Sequence, residues 1–267
     1  MKSAPQIHLS NVQAVYSGAE GKLWELLMGE QIHLGGLQSS LELARCAGIA
    51  EGSRGVDFCC CAGAGLKFLV QFQKVAHMTG VDATPAMIQL GRQRVAAEGL
   101  ADKITFVEAN VSDCGLPPGQ FDFVWGEDAW CYVEDKRAMI TEAARIVKAG
   151  GKIAFTDWML GPTDMTDTEA ARYLTFMKFP NVLSQAEYRS HLEASGCSAQ
   201  LAQDTGRFAS QMPLYLDMLE KQLTYDALKI IGFDTALAAE LVGEMKFIQS
   251  LAQAGKVIQG LIVAEKC

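Results

Sequence analysis

The sequence has no apolar run long enough for a membrane-spanning helix, no Cys-x-x-Cys pair and no basic excess. A helix needs roughly 20 mostly apolar residues to cross a bilayer, so a membrane span is not expected. The eight cysteines stand at 46, 59, 60, 61, 114, 131, 197 and 267, three of them consecutive and the rest scattered. That pattern fits neither a disulfide framework nor a zinc site and predicts free thiols in a reducing compartment, with no bound metal. A formal charge of −8 and a pI near 5.1 argue against a nucleic-acid partner, which calls for a basic face. Neutral or cationic small molecules suit such a chain better. No secretory apolar segment follows Met-Lys-Ser-Ala-Pro-Gln, so a cytoplasmic location is expected. Gly-x-Gly-x-x-Gly is also missing, which disfavours a nicotinamide dehydrogenase. Repeats and low-complexity linkers are absent, and nothing in the sequence states an oligomeric form.

What is present is enough for a large core. Of 267 residues, 49% are hydrophobic, which predicts one large domain or one domain with a cap. The chain is organised around Arg54-Gly-Val-Asp-Phe-Cys-Cys-Cys-Ala-Gly-Ala-Gly65, read with Val81-Asp82-Ala-Thr-Pro-Ala-Met87. Val56 to Phe58 reads as a buried strand running into a small-residue turn. Leu66, Phe68, Leu69 and Phe72 then open an amphipathic helix. Strand, turn and helix in that order aim backbone N–H groups and a helix N-terminus at a ligand. Asp82, 25 positions after Asp57, ends the next strand, where a carboxylate can accept both hydroxyls of a ribose.

The remaining pattern alternates strand and helix. Residues 11–36 open with an apolar helical stretch that ends in Gly29-Glu-Gln-Ile-His-Leu-Gly-Gly36, and Gln38–Ala47 is a helix. Strands are predicted at 75–82, 104–107, 121–126 and 152–157. Thr84 and Pro85 begin one helix as N-cap and first residue. Arg137–Lys148 forms another, stopped by Gly150-Gly151. Ser184 and Glu187 make a capping box for a helix through Ala194. A strand over 196–204, helices from Met212 to Leu223 and from Asp234 to Gly255, and a strand at 257–264 complete the chain. This order predicts an α/β, doubly wound, Rossmann-like, mostly parallel sheet.

The motif resembles the class I S-adenosylmethionine (SAM) methyltransferases, whose first strand ends in acid-x-Gly-x-Gly-x-Gly. Asp57 fills the acid position, Cys59 and Cys61 replace the first two glycines, and Gly63 matches the third. A register using Cys61, Gly63 and Gly65 is the alternative and loses the acid. Cysteine lacks glycine's freedom at positive φ, so the turn is expected to be crowded rather than closed. The 11–36 segment resembles the N-terminal lid of the methyltransferases acting on glycine, sarcosine, dimethylglycine and phosphoethanolamine. Phe121-Asp-Phe-Val-Trp-Gly-Glu-Asp-Ala129 is similar to the sarcosine/dimethylglycine enzymes.

The resemblance implies seven strands with the last antiparallel, inserted beside the fifth. It implies a lid over 1–36 and a core of 37–159, 184–207 and 256–267; the insertions at 160–183 and 208–255, the second of which lies outside the resemblance, are expected to cover the crevice as caps, since long insertions after the strands of an α/β sheet tend to shape a site. It implies SAM as cofactor, S-adenosylhomocysteine as product and a small-molecule acceptor, an amine nitrogen of the sarcosine/dimethylglycine kind. The alternatives are a SAM-binding protein with little turnover, or methylation of carbon or oxygen. Expected cofactor contacts are Trp24, Asp57, Cys59, Cys61, Gly63 and Asp82, with Ala83, Thr84 and Met87 after the second strand. Asn110, or Val111 if the loop slips by one, meets adenine; Glu127 and Asp128 complete the set. Tyr16 and Tyr132 stand where the phosphoethanolamine relatives pair a lid Tyr with a His, and are the expected catalytic pair. His33, Trp130, Trp158 and Arg172 are the expected acceptor contacts.

Overall fold

A computed structural model describes every residue except Pro5. The chain begins with β1 (Lys2–Ser3), α1 (Leu9–Ser17), α2 (Ala19–Met28) and α3 (Gly36–Ala47), followed by β2 (Arg54–Phe58), α4 (Ala64–Gln71), β3 (His77–Asp82), α5 (Pro85–Ala97) and β4 (Ile104–Glu108). It continues through β5 (Phe121–Glu127), a 3-10 turn (Trp130–Tyr132), α6 (Lys136–Ile146), β6 (Val147–Leu160), α7 (Asp167–Met177), β7 (Asn181–Val182) and α8 (Gln185–Ala194). The last elements are β8 (Cys197–Asp204), α9 (Arg207–Asp217), a π-helical turn (Met218–Gln222), α10 (Thr224–Ile230), α11 (Thr235–Gln253) and β9 (Val257–Lys266).

Seven strands form one sheet in the order β4-β3-β2-β5-β6-β9-β8. The pairs from β4 to β6 are parallel, and β9 runs antiparallel to both β6 and β8. The expected antiparallel last strand beside the fifth is therefore present. The central strands are apolar and buried on both faces, as parallel strands under helices must be. Val56, Phe58, Val81, Val124, Trp125 and Phe155 are fully shielded. Leu66 and Leu69 of α4 are also fully buried; each such side chain contributes roughly 1.5–3 kcal/mol.

Several boundaries differ from the sequence reading. α6 stops at Ile146, because β6 already pairs with Phe121 at Val147 before an irregular stretch and resumes opposite Phe123 at Lys152. Pairing with a neighbouring strand outweighs the local glycine stop. The single N-terminal helical stretch is two helices, broken where Gly18 turns extended. β1 pairs with β7 in a separate two-stranded sheet, and the helix expected over 212–223 begins at Arg207 and passes into the π-helical turn. α10 has no buried residue, so it lacks the apolar stripe that reveals a helix in sequence. No helix among the described residues is long and apolar enough to cross a membrane.

Candidate functional site

The parallel strands β2, β3, β4 and β5 bring their carboxyl ends to one cavity of about 400 Å³, a size typical of small-molecule sites. Its floor is the turn after β2. Cys59 and Cys61 adopt φ of 62° and 48°, and Gly63 follows at 85°. The turn thus keeps a glycine-like backbone while two of its positions carry side chains, at a cost of about 1–2 kcal/mol each for left-handed L-residues. Cys60 packs against Gly80, where an added Cβ would lie 2.6 Å from its sulfur. Gly65 is needed for another reason: a Cβ there would stand 2.9 Å from Asp57 Oδ2.

Asp82 ends β3 beside that floor. Its Oδ2 accepts from the Cys61 N–H at 2.9 Å and its Oδ1 from the Thr84 N–H at 2.8 Å. Both carboxylate oxygens are held in place, each with further lone-pair capacity. Gln13 on α1 donates to the Ala83 carbonyl at 2.6 Å, tying the N-terminal helix to the same rim. Across the cavity, Glu127 accepts from Ser40 Oγ at 2.9 and 3.1 Å and from Trp125 Nε1 at 3.0 Å. Asp128, at a left-handed φ of 51°, accepts from the Leu34 N–H at 2.8 Å and from Gln259 Nε2 at 3.0 and 2.8 Å. The 33–35 loop is therefore pinned to the tip of β5.

Burial raises the acids' proton affinity. Asp57 is pushed well above the usual carboxylate range by burial, then by Glu127 and Asp82. Asp82 is raised by burial, against its two backbone hydrogen bonds. Glu127 is raised by burial, opposed by His33, Ser40 and Trp125. The Tyr16 and Tyr132 rings meet edge to face with centroids 5.6 Å apart. Burial lifts both phenols above their ordinary range, Tyr16 with help from Tyr132 and Tyr132 with help from Cys131. The Cys61 thiol is pushed up to about 12 by burial and then Asp82, and is fully protonated at neutrality.

Most residues expected from the sequence line this one cavity: Asp57, Cys59, Cys61, Asp82, Ala83, Thr84 and Met87 on one side, and Asn110, Val111, Glu127, Asp128, Tyr16, His33 and Tyr132 on the other. Both Asn110 and Val111 face it, and Asn110 Oδ1 also accepts from the Ser112 N–H at 2.9 Å. Gly63 is not a wall of the cavity but the N-cap of α4; it shapes the turn.

Four expectations are corrected. Trp24 lines a second, apolar cavity of about 560 Å³ with Leu23, Leu27, Leu228 and Met245, because it lies on the face of α2 turned toward α10 and α11. Trp130 is fully buried, stacked on Phe155 with centroids 4.0 Å apart and packed against Gly126. Trp158 is walled in by Phe179 and Phe208, at 5.7 and 4.7 Å. Arg172 sits on the outer side of the cap, bidentate to Glu244 at 3.0–3.1 Å and over the Phe247 ring.

Sequence reasoning missed Ser40 and Gln259. Both carry a readable signal: a fully buried serine on the core face of a helix, and a fully buried glutamine inside an apolar strand. Buried polar groups of this kind need partners.

Residues 56–155 match the family described as "Methyltransferase domain". Phosphoethanolamine N-methyltransferase 1 of Arabidopsis thaliana is 26% identical over 221 residues, 81% of this chain and 43% of that protein. The chain spans about half the length of the curated relatives it matches. Among solved structures, a candidate sarcosine dimethylglycine methyltransferase from Galdieria sulphuraria superposes with a TM-score of 0.80 at 20% identity, covering 93% of this chain and 98% of that one. Phosphoethanolamine N-methyltransferase 2 of Haemonchus contortus, in complex with phosphomonomethylethanolamine and S-adenosylhomocysteine, reaches 0.83 at 18% identity over 95% of this chain and 58% of that one. Residues 56–155 are thus a methyltransferase domain, set within a chain that has the class I SAM-dependent methyltransferase fold.

Proposed function

We propose that the cavity binds SAM and that the protein methylates the nitrogen of a small amine. The observation that carries this reading is the Asp82 carboxylate, fixed by the Cys61 and Thr84 N–H groups at the rim of the left-handed turn. Such a carboxylate suits a ribose hydroxyl pair. Asp57, buried beside Gly65 in a niche that a Cβ would fill, suits the ammonium of the methionine moiety. Asn110 and Val111 would meet the adenine.

When bound, SAM supplies a sulfonium-activated methyl group. The chain's own task is to hold an acceptor nitrogen about 3 Å from that methyl, in line with the bond to sulfur, which can lower the barrier by roughly 7–11 kcal/mol. The 33–35 loop, pinned through Asp128, keeps water from that side. Tyr16 and Tyr132 wall the other side. Their raised proton affinity makes them hydrogen-bonding and positioning groups, not phenolate bases.

The lining charges narrow the acceptor. Glu30, Asp57, Asp82, Glu127, Asp128, Glu134 and Asp135 face the cavity, and no Lys or Arg does so among the described residues. Glu30 is paired with Lys67 and Arg94 behind the wall, but the remaining acids leave the lining without a cationic partner for an acceptor's carboxylate or phosphate, which would meet net repulsion here. The sarcosine-like acceptor that the sequence resemblance implies is therefore less suited to this cavity than a cationic or neutral amine. Calorimetry with SAM and S-adenosylhomocysteine tests the cofactor, followed by methyl transfer to paired amines such as N-methylethanolamine and sarcosine. Micromolar SAM binding with preference for the uncharged-tail member is expected. Absence of binding to a folded protein would remove the reading.

One observation favours a second reading. Cys59 and Cys61 project side chains into the cavity where glycine would leave space, which fits a protein that holds SAM or its product with little turnover. Binding without transfer to any amine, phenol or carbon acid would favour it.

A further inference from the structure

The second cavity, of about 560 Å³, lies between α2, α10 and α11 and shares no lining residue with the acid-lined one. Its walls are apolar, with Trp24 and Leu27 from α2, Leu228 and Ile231 from α10 and its end, and Val242 and Met245 from α11. α10 has seven residues and none of them is buried. A helix that short is marginal in water unless its apolar face packs on something. Ala227 and Leu228 of α10 face the cavity, so whatever fills the cavity supplies the packing that α10 lacks. Apolar cavities take up apolar molecules, and this volume is that of a small-molecule site.

Two acids interrupt the apolar wall, Glu20 and Glu220. Glu220 is already paired with Lys246 at 2.7 Å. Glu20, in the first turn of α2, is half-buried. Burial raises its proton affinity, opposed by the charge of Lys178, and no hydrogen-bond donor reaches it. Lys178 itself donates to the Thr175 carbonyl at 3.0 Å. No Lys or Arg lines the cavity among the described residues. A half-buried carboxylate without a partner, open to an apolar cavity, is complemented by a cation that carries apolar bulk.

We propose that this cavity binds an amphiphilic cation, with an apolar chain among the helices and an amine head at Glu20. The two cavities have separate walls, so this site is independent of the methyl-transfer reading. The chain buries the apolar faces of α2, α10 and α11, and the ammonium donates to the Glu20 carboxylate. An alcohol of equal chain length gains the first contribution without the charge pair. A fatty carboxylate meets repulsion from Glu20 and Glu220.

Trp24 is a built-in reporter. It is half-buried in this cavity, whereas Trp125, Trp130 and Trp158 are buried in the core. Titration with decylamine should shift the Trp24 emission to the blue, and Trp24→Phe should abolish the shift. In calorimetry decylamine should bind about 2–5-fold more tightly than decanol, the range of a partly exposed charge pair, and decanoate should bind least. Octylamine should bind more weakly than decylamine by about fourfold for each methylene removed. Glu20→Gln should erase the difference between amine and alcohol while leaving decanol affinity in place. Ala238→Phe, which fills the cavity from α11, should weaken both ligands; should that variant fail to fold, Ala227→Phe fills it from α10. Absence of the emission shift, or an amine preference retained in Glu20→Gln, would overturn the proposal. Unchanged decylamine affinity in the filled variant would overturn it too, and would place the amine in the acid-lined cavity.

Discussion

Gln259 holds Asp128. The amide nitrogen of a residue in the middle of β9 lies 2.8 and 3.0 Å from the two carboxylate oxygens at the tip of β5, and also donates to the Leu34 carbonyl at 3.2 Å. One buried side chain thus joins the last strand, the carboxyl edge of the sheet and the loop beside the cavity. Gln259→Leu removes donors to a buried carboxylate, and hydrogen bonds to charged groups contribute about 1.5–3 kcal/mol. Denaturant unfolding should show a loss of that size, and SAM affinity should fall with it. Unchanged stability would mean that Asp128 finds another donor.

Cys61→Gly should stabilise the protein. The left-handed penalty of about 1–2 kcal/mol is removed, while glycine's greater chain entropy returns about 0.5–1 kcal/mol. A net gain near 0.5–1 kcal/mol is expected in urea unfolding, with SAM affinity equal or better. A marked loss of affinity would show that the thiol itself contacts the cofactor.

Asp82→Asn should weaken SAM binding by roughly 10–100-fold, the equivalent of one charge-assisted hydrogen bond. The same substitution disturbs the Cys61 and Thr84 N–H groups, so circular dichroism should accompany the calorimetry. Unaltered affinity would place the ribose elsewhere.

Acidification should first stabilise and then destabilise the ligand-free protein. Asp157 is pushed up to about 6 by burial, against Lys136 and Tyr188, and Asp57, Asp82 and Glu127 move the same way. A group that binds its proton more tightly when folded contributes stability below its unfolded pKa, and that contribution disappears as pH rises through the folded value. Glu142 acts oppositely: Arg145 holds it at about 2, so its contribution is lost as pH falls through the ordinary glutamate range. Thermal melts should therefore peak between about pH 4 and 6. A cationic ligand favours ionised carboxyls, so SAM binding should release protons and tighten from pH 5 to 7. Calorimetry in buffers of different ionisation enthalpy reads that release, and proton uptake instead would contradict the assignment.

Tyr132→Phe should lower kcat only about tenfold, the value of one neutral hydrogen bond near 1.4 kcal/mol, and leave the pH profile in place. The phenol stays protonated across the working range. Loss of a pH limb in this variant would make Tyr132 the base.

The turn, the acid at its head and the acid at the tip of the next strand were legible in the sequence, because each is set by a few neighbouring residues. Small side chains after Val56–Phe58 allow a left-handed turn, and apolar runs bounded by helix caps mark the parallel strands. Trp24, Trp158 and Arg172 could not be placed in this way. Their chemistry suits an acceptor site, yet the packing of α2 against α10 and α11, of β6 against Phe208 on α9, and of α7 against α11 places them away from the cavity.

The sequence by itself determined the order of strands, the composition of the turn and the acidic character of the chain, all of which follow from local preference and count. Only the tertiary structure decided that His33, Ser40 and Glu127 meet, and that Gln259 reaches Asp128 across 131 positions. Contacts between distant segments depend on sheet register and on how the N-terminal helices pack over the strand ends. Those are properties of the whole core, and no window of sequence contains them.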